Sequence, residues 1–284
     1  MKRKDRIKLD FTRNWKLPGK ERLSGWLKAS EDTKSAFKNG ITWLSNEDIG
    51  IYTTADNYIE WSLLSTGTYE EEINKLIRIS LKPGNVALDI GANIGLQTIR
   101  MAQSVGSKGS VYSFEPLSYL QDKFKKNIAF NRLENVTLFP FALSDQPNEI
   151  TYSINENNWN QGTFSLNNKN AGGNTQQITI KVADQLTELQ ELRQLDLVKI
   201  DVEGFEFHVL KGLVMTLKKY KPRIIFEYDD NYWAGTGQKM DDCFKFLKDL
   251  NYELYQITSV GCELIGGAEN IKGGNLFCIN NYNG

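Results

Sequence analysis

Histidine and cysteine are scarce in this chain, and long apolar runs are absent. Among its 284 residues there is one histidine, His208, and the three cysteines form no Cys-x-x-Cys pair. This composition argues against a disulfide framework or a cysteine–histidine zinc site, and it is typical of a reducing compartment. No apolar run approaches the roughly 18 residues that span a bilayer, and the charged N-terminus lacks the apolar stretch of a secretory signal. The sequence therefore predicts a cytoplasmic protein without a transmembrane segment.

Net charge is also nearly absent, although charge is unevenly distributed. The 34 Lys and Arg residues are balanced by 35 Asp and Glu residues, for a net charge of −1. Residues 1–40 carry twelve basic and five acidic side chains, a net of +7, so the remainder carries −8. Such a basic arm could attract a nucleic acid, a membrane surface or an anionic glycan, but a solvated helix or arm is the simpler interpretation.

The aromatic residues indicate that the N-terminal region packs on the rest of the protein. Four of the six tryptophans lie within it, namely Trp15, Trp26, Trp43 and Trp61. Large aromatic side chains favour burial over solvation. Residues 41–53 predict a short hairpin with its turn near Asn46. We therefore divide the chain into an N-terminal extension, residues 1–66, and a main domain, residues 67–284.

From residue 85 onward, short apolar runs alternate with amphipathic helical patterns, which is the arrangement of a parallel sheet. The predicted strands are 86–90, 111–114, 136–141, 197–201 and 223–227. Pro140 in the third of them favours a position at the sheet edge. Two further strands, 252–257 and 275–279, have no helix between them and predict an antiparallel pair. The predicted fold class is α/β, a Rossmann-like class I methyltransferase sheet of seven mainly parallel strands ending in an antiparallel hairpin.

The loop after the first predicted strand indicates a cationic ligand. Open parallel sheets bind ligands beyond the carboxyl ends of their strands. Here DIGANIG, residues 89–95, places Gly91 and Gly95 in a G-x-x-x-G spacing next to Asp89. A dehydrogenase would need G-x-G-x-x-G to seat a pyrophosphate, which Asp89 would repel. Glu115 ends the second strand, where a carboxylate can accept the hydrogen bonds of a ribose diol. These residues predict an S-adenosylmethionine site, with a structural turn and a capping Glu as the alternative.

Three charged residues at the end of the fourth predicted strand are catalytic candidates. Lys199, Asp201 and Glu203 alternate with apolar residues, so an extended chain would place them on one face. Because a covered sheet disfavours unpaired charge, they should emerge at the crevice or pair with one another, and Glu227 could pair with Lys199. We assign Asp201 as general base or acceptor-orienting group and Glu203 as a supporting carboxylate. A structural ion-pair network is the alternative.

These residues resemble those of the FkbM-type methyltransferases, an S-adenosylmethionine-dependent family that O-methylates hydroxyls of sugars and polyketides. The resemblance covers roughly residues 67–230, and its most specific part is KIDVEG, at the start of KIDVEGFE (199–206). Its other motifs are Gly67-x-Tyr69-Glu70, DIGANIG (89–95), FEP (114–116), Asn127 with Asn131, ALSD (142–145) and Gly212.

The resemblance implies roles for individual positions. The cofactor-binding residues would be Asp89, Gly91, Asn93, Gly95 and Glu115, with Tyr69 and Glu70 near the methionyl end and Ala142 beside the adenine. The acceptor would be a small molecule or a glycan, and segments outside the resemblance would set its identity. The oligomeric state, including a homo-oligomer, is left open.

The sequence leaves two other functions and a metal site as alternatives. A nucleic-acid methyltransferase would use the basic arm, but the fourth strand ends in IDVEG and lacks the Asn/Asp-Pro-Pro-aromatic motif of N-methyltransferases. A non-catalytic interaction module would not require an intact glycine loop, Glu115 and Asp201. A divalent metal is a minority option, because nothing in the spacing demands it; its ligands would be Asp201, Glu203, Glu227, Asp229 and Asp230.

Two features stay outside the predicted site. His208 lies beside an apolar stripe and is expected to pack or face solvent rather than act as a base. Residues 147–182, with Trp159, Asn160, Gln161 and Gly162, interrupt the strand–helix alternation. They predict a hairpin or lid over the acceptor, or else a plain surface loop.

Overall fold

The computed structural model describes residues 3–15, 40–54, 57–153 and 175–282. Its helices are α1 (Arg3–Arg13), α2 (Tyr58–Thr66), α3 (Glu71–Ser80), α4 (Leu96–Val105), α5 (Ser118–Phe130), α6 (Thr187–Gln190), α7 (Glu206–Gly212), α8 (Val214–Tyr220), α9 (Asp230–Ala234) and α10 (Met240–Asp249). Trp26 and the four residues 159–162 lie outside the described residues.

The strands alternate with the helices along most of the chain. They are β1 (Gly40–Trp43), β2 (Gly50–Thr53), β3 (Val86–Ile90), β4 (Ser110–Phe114), β5 (Val136–Phe139), β6 (Ala142–Ser144), β7 (Asn148–Ser153), β8 (Thr175–Val182), β9 (Leu197–Ile200), β10 (Arg223–Tyr228), β11 (Tyr252–Thr258), β12 (Gly261–Leu264) and β13 (Gly274–Asn280).

The central sheet is mainly parallel, which confirms the predicted fold class. Its order is β12-β11-β13-β10-β9-β3-β4-β5, with β10, β9, β3, β4 and β5 parallel to one another. The antiparallel pair predicted near the C-terminus is also present, because β11 pairs with β13. β5 lies at the edge as predicted, but it ends at Phe139, so Pro140 follows the strand and is not part of it. The carboxyl ends of β10, β9, β3 and β4 therefore lie side by side, where open sheets bind ligands.

The sheet has eight strands in the described residues, so the predicted count of seven was wrong. The additional strand, β12, turns back from β11 through Ser259 and Val260 and pairs Thr258 with Gly261. All four of its residues are exposed. Because neither face of β12 is buried, it has no apolar alternation by which a strand is recognised.

The segment between β5 and β9 forms a second, smaller sheet. Its order is β6-β8-β7, and β7 and β8 form an antiparallel pair that places Asn148 opposite Ile180. The hairpin predicted within residues 147–182 is therefore present in its described part. Ile178, Ile180 and Tyr152 pack from this sheet into an apolar cluster with the N-terminal hairpin and the start of α4.

Both faces of the central sheet are covered by apolar helices. Leu88, Val198 and Phe226 face a cluster completed by α7, α8 and α10. On the other face, Ala87, Val111 and Ile225 contact the apolar sides of α3 and α4. Cys243 of α10 is fully buried in the first cluster. Burial on both faces explains why β3 and β9 are mainly apolar, with one charged residue each, Asp89 and Lys199.

The N-terminal hairpin, β1 with β2, is hydrogen-bonded to α5 through two asparagines. The Asn127 amide nitrogen donates to the Ile94 carbonyl (2.8 Å), and its Oδ1 accepts from the Tyr52 N–H (2.8 Å). Asn131 binds both the N–H and the carbonyl of Gly50. Asn127 therefore joins the hairpin to the loop after β3, and Asn131 joins the hairpin to α5. The proposed boundary at residue 66 stays a prediction.

Among the described residues, no helix combines the length and the apolar character needed to cross a membrane.

We expect Asn127→Ala to destabilise the protein by about 2–3 kcal/mol, because it leaves a buried N–H and a buried carbonyl without partners. Asn127 is completely buried. Urea unfolding should show a lower midpoint for this variant, whereas Lys126→Ala, an exposed position on the same helix, should unfold like the wild type. Equal midpoints for all three proteins would contradict the bridging role of Asn127.

Candidate functional site

A cavity of about 310 Å³ opens at the carboxyl ends of the central strands. Its acidic lining residues are Glu70, Glu115, Asp201, Glu203, Glu227 and Asp229. Tyr58, Tyr69 and Tyr232 line it as well, together with Gly91 and Asn93. None of the described lining residues is Lys, Arg or His. The cavity is therefore built to receive a ligand with positive charge.

The glycine loop after β3 is shaped by a backbone crossing. Gly91 has φ +84°, and a Cβ there would lie 1.9 Å from the Asp201 carbonyl oxygen. Only glycine allows this approach, which brings the loop against the end of β9. Gly95 does not line the cavity; a Cβ there would lie 2.8 Å from a ring carbon of Phe124. Gly91 therefore belongs to the cavity wall, whereas Gly95 is required for packing against α5.

Glu115 connects the end of β4 to the glycine loop. Its Oε2 accepts from the Asn93 N–H (2.8 Å) and its Oε1 from the Leu117 N–H (2.9 Å). Burial raises the pKa of Glu115 to about 7, against the effect of these two N–H donors. The residue is 4% exposed and lines the cavity. The two hydrogen bonds fix the carboxylate on the cavity wall.

Asp89 lies deeper, in a small adjoining cavity of about 50 Å³ that Lys199 and Asp201 also line. Its Oδ2 accepts from the Thr98 hydroxyl (2.5 Å). Its Oδ1 is buried and has no hydrogen-bond partner among the described residues. Burial raises the pKa of Asp89, and the charge of Lys199 opposes this shift. An unpartnered buried carboxylate oxygen beside a cavity favours a ligand that can donate to it.

Tyr69 and Glu70 form the opposite rim of the cavity and are held by α4. The Gln97 amide donates to Glu70 Oε2 (2.7 Å), and Arg100 Nη1 donates to the Tyr69 carbonyl (2.9 Å). Glu70 has φ +49°, an uncommon conformation for a residue with a side chain. Burial raises the pKa of Glu70. Gln97 and Arg100 therefore fix the backbone that aims this carboxylate.

Arg100 is a residue that sequence reasoning missed. It is 2% exposed and makes a two-pronged ion pair with Glu47 in the turn between β1 and β2, at 2.6 and 3.0 Å. Its signal in the sequence is a charged residue within a helix, α4, whose other residues are mostly buried. Because charged side chains are seldom buried unpaired, such a position predicts a partner from elsewhere in the chain.

The charged residues after β9 pair with one another. Lys199 Nζ lies 2.9 Å from Asp201 Oδ2, so the pairing of Lys199 with Glu227 was wrong. Although burial opposes it, the pKa of Lys199 is raised because the carboxylates of Asp201, Asp89 and Glu70 surround it. The prediction that Lys199, Asp201 and Glu203 share one face of an extended strand was also wrong. β9 ends at Ile200, and Glu203 turns the chain with φ +51°.

Glu203 lies on the cavity wall next to other carboxylates. Burial, Asp201 and Glu227 together raise the pKa of Glu203 to about 9, while a hydrogen bond from Tyr232 opposes the shift. Burial and Asp201 raise the pKa of Glu227 to about 8. The Glu206 carboxylate instead accepts hydrogen bonds from the N–H groups of Val202 and Gly204 and from the Trp233 indole (2.8 Å). Glu206 therefore fixes the turn that carries Glu203.

Two candidate positions lie outside the cavity. Ala142 begins β6 and packs beside the apolar cluster around the N-terminal hairpin, and it is not among the residues that line the cavity. His208 Nδ1 lies 2.8 Å from Asp145 Oδ1 and its Nε2 lies 2.8 Å from the Gln238 amide nitrogen. The histidine therefore packs between surface side chains and does not face the cavity. The remaining candidates line the cavity or the small cavity that adjoins it, except Gly95, which packs against Phe124 behind the glycine loop.

The family model described as methyltransferase FkbM domain matches residues 89–254, a range that includes the glycine loop, Glu115 and the charged cluster after β9. The chain belongs to the FkbM methyltransferase family. Hexuronic acid methyltransferase AglP of Haloferax volcanii is 28% identical over 151 residues, which are 52% of this chain and 58% of AglP. AMB antimetabolite synthetase AmbE of Pseudomonas aeruginosa is 25% identical over 276 residues, covering 84% of this chain and 12% of AmbE.

The matches span less than two thirds of either relative's length. A crystal structure of methyltransferase FkbM from Methylobacillus flagellatus has a TM-score of 0.45 to this FkbM-family chain, at 13% identity. That match covers 78% of this chain and 53% of the crystallised one.

We expect the thermal stability of this FkbM-family protein to fall as pH rises from about 5 to 9. Glu115, Glu203 and Glu227 have pKa values of about 7, 9 and 8, above the ordinary 4.5. Over this range the folded protein binds protons that the unfolded chain has lost, so raising the pH favours unfolding. Calorimetric Tm values across this range measure the effect.

Glu203→Gln should raise the Tm at pH 8 and flatten its dependence on pH, because the variant cannot ionise at this position. Glu134→Gln, at an exposed position away from the cavity, is the matched control and should follow the wild-type curve. A wild-type Tm that rises between pH 6 and 8 would contradict the charge state assigned to the cavity.

Proposed function

We propose that this FkbM-family protein is an S-adenosylmethionine-dependent O-methyltransferase that acts on a hydroxyl of a saccharide or a related polyol. The observation that carries the proposal is a cavity at the ends of β3, β4, β9 and β10 whose charged lining residues are all acidic. Family membership supports methyl transfer, and the name of AglP supports a saccharide acceptor.

The lining residues fit the chemistry of this cofactor. S-adenosylmethionine carries a sulfonium and an α-ammonium group, which the carboxylates around the cavity would stabilise. A dinucleotide would instead bring a pyrophosphate against Glu115, Asp201 and Glu203. The unpartnered Oδ1 of Asp89 supports the same choice, because a cationic donor would satisfy it.

Individual residues would hold different parts of the cofactor. We propose that Glu115 accepts hydrogen bonds from the ribose diol, and that Gly91 and Asn93 contact the cofactor through the loop backbone. Tyr69, Glu70 and Asp89 would lie toward the methionyl end. Gly95 would support the loop by its contact with Phe124. Ala142 does not line the cavity, so it would contact the adenine only if the bound cofactor extended beyond the cavity toward β6.

The reaction requires alignment more than strong acid–base chemistry. When bound, S-adenosylmethionine supplies a methyl group whose C–S bond breaks as the acceptor oxygen forms its C–O bond. Asp201 lines the cavity, its side chain is 32% exposed, and Lys199 holds it at 2.9 Å. We propose that Asp201 orients the acceptor hydroxyl and takes its proton, that Lys199 keeps this carboxylate in place, and that Glu203 supports it.

One class of variant should weaken cofactor binding, and a second class should lower turnover while binding is kept. Glu115→Gln and Asp89→Asn should weaken S-adenosylmethionine binding by about 10- to 100-fold, because each removes a charged acceptor. Asp201→Asn should keep binding within about threefold and lower turnover by about 100-fold or more, because the proton acceptor is lost. Calorimetry measures binding, and transfer of a labelled methyl group measures turnover.

Glu149→Gln, at an exposed position of β7, is the control and should match the wild type in both measurements. Equal loss of binding in Asp201→Asn and Glu115→Gln would argue that Asp201 has no separate catalytic role.

The proposed reaction is tested by incubating the protein with labelled S-adenosylmethionine and a panel of free glycans and nucleotide sugars, followed by mass spectrometry. For at least one acceptor, the expected product is heavier by one labelled methyl group in place of a hydroxyl hydrogen, with the methyl group on oxygen. Failure to bind S-adenosylmethionine at all would refute the proposal. The cytoplasmic location, a homo-oligomer and independence from metal ions stay predictions.

A further inference from the structure

One side of the cavity is both acidic and aromatic. Glu203 follows β9, and Glu227, Asp229 and Tyr232 come from the end of β10 and the segment after it; Tyr58 lines the same cavity. We call these five residues the acceptor wall. In the sheet order β10-β9-β3-β4, Glu227 and Asp229 come from the end of β10, whereas Glu115 follows β4. The proposed ribose position and these two carboxylates are therefore separated along the edge of the sheet.

Among the described residues, no Lys or Arg makes an ion pair with a carboxyl group of the acceptor wall. Lys199, the cation that acts on Glu227, is already paired with Asp201 at 2.9 Å. Arg100 is paired with Glu47, and Lys123 is paired with Glu60. S-adenosylmethionine would bring two cationic groups and one carboxylate of its own. Its charge would be met at the Asp89 and Glu70 end, which leaves Glu203, Glu227 and Asp229 without a counter-charge.

Glu203 has an oxygen available for a ligand. Its carboxylate accepts a hydrogen bond from the Tyr232 hydroxyl, whereas its Oε2 is buried and has no hydrogen-bond partner among the described residues. Burial and mutual repulsion raise the pKa of both Glu203 and Glu227. A cation placed between the two carboxylates would relieve that repulsion, and a carboxylate placed there would increase it. Tyr58 and Tyr232 add aromatic rings, which favour cations over anions.

We propose that the acceptor carries a protonated amine in addition to the hydroxyl that is methylated, and that Glu203 and Glu227 bind this ammonium group. The inference rests on the proposed O-methyl transfer and narrows its acceptor to amino sugars and related amino polyols. Neutral sugars bind more weakly, and uronic acids are rejected. In the reaction itself the amine stays unchanged: the hydroxyl oxygen gains the methyl group and its proton passes to Asp201.

A divalent cation is the other positively charged ligand that carboxylates attract. Among the described residues, no three His, Cys, Asp or Glu side chains are arranged to share one metal ion. Glu206 and Asp229 also use carboxylate oxygens to bind backbone N–H groups. An ammonium group needs only two or three acceptors, so the geometry favours it.

The experiment compares matched acceptors that differ only in charge. Methyl glycosides of a hexosamine, its N-acetyl form, the parent hexose and the hexuronic acid are tested in gluco and galacto configurations at pH 7. Methyl transfer is followed by mass spectrometry, and kcat/KM is determined for each acceptor. In parallel, calorimetry measures binding of each glycoside to the full chain saturated with S-adenosylhomocysteine.

We expect the free amine to exceed its N-acetyl form by at least tenfold in kcat/KM and in affinity, with the uronic acid lowest. Glu227→Gln should reduce the ratio of amine to neutral acceptor at least fivefold. Glu134→Gln, which is exposed and distant from the cavity, should leave that ratio unchanged.

The possible failures are distinguishable. Binding of the amine without methyl transfer would refute the proposed reaction and leave the ammonium site intact. Equal or better use of the neutral or anionic glycosides would overturn the ammonium site and leave the methyltransferase intact. An amine preference that disappears on addition of EDTA and returns with Mg²⁺ would assign the carboxylates to a metal ion and overturn the inference. Binding of none of the glycosides would overturn it as well.

Discussion

The site depends on the close approach of two backbone segments, the glycine loop after β3 and the turn after β9. A Cβ at position 91 would lie 1.9 Å from the Asp201 carbonyl oxygen, and the Asp201 N–H donates to the Ile90 carbonyl (2.9 Å). Because β3 and β9 are adjacent and parallel, both loops leave the sheet at the same edge. This contact places Asp201 beside the loop that is proposed to hold the cofactor. A larger residue at position 91 would separate them.

The close packing of these two segments also explains the shifted pKa values of the charged residues between them. Lys199 is buried with three carboxylates, those of Asp89, Asp201 and Glu70, in its electrostatic range. One ammonium group cannot neutralise all three, and burial opposes ionisation of each carboxylate that lacks a counter-charge. The folded protein therefore holds an arrangement that is unfavourable until positive charge arrives. Stability and ligand affinity are linked by this arrangement, since a cation that stabilises the ionised carboxylates also stabilises the fold.

Periodicity predicted most of the central sheet, and motif spacing together with the family resemblance predicted much of the cavity wall. The strands β3, β4 and β9 are short, mainly apolar runs, and the loops that follow them carry chemistry-bearing residues at recognisable spacings. The features that the sequence did not predict have a common cause. β12 is exposed on both faces and has no pattern, the partner of Lys199 depends on where Glu203 turns the chain, and the ion pair of Arg100 with Glu47 spans 53 residues. Such features are set by tertiary contacts that sequence spacing does not encode.

The N-terminal hairpin is connected to the site in a way that gives Asn127 and Asn131 a physical meaning. Neither asparagine lines the cavity; both hydrogen-bond the backbone of β2. Glu47, in the hairpin turn, holds Arg100, which in turn holds the carbonyl before Glu70. The hairpin lies outside the matched range 89–254, yet its removal would take away the ion-pair partner of the buried Arg100 and the backbone partners that Asn127 and Asn131 have in β2. Through these contacts the hairpin supports the backbone of Tyr69 and Glu70 on the acidic rim of the cavity.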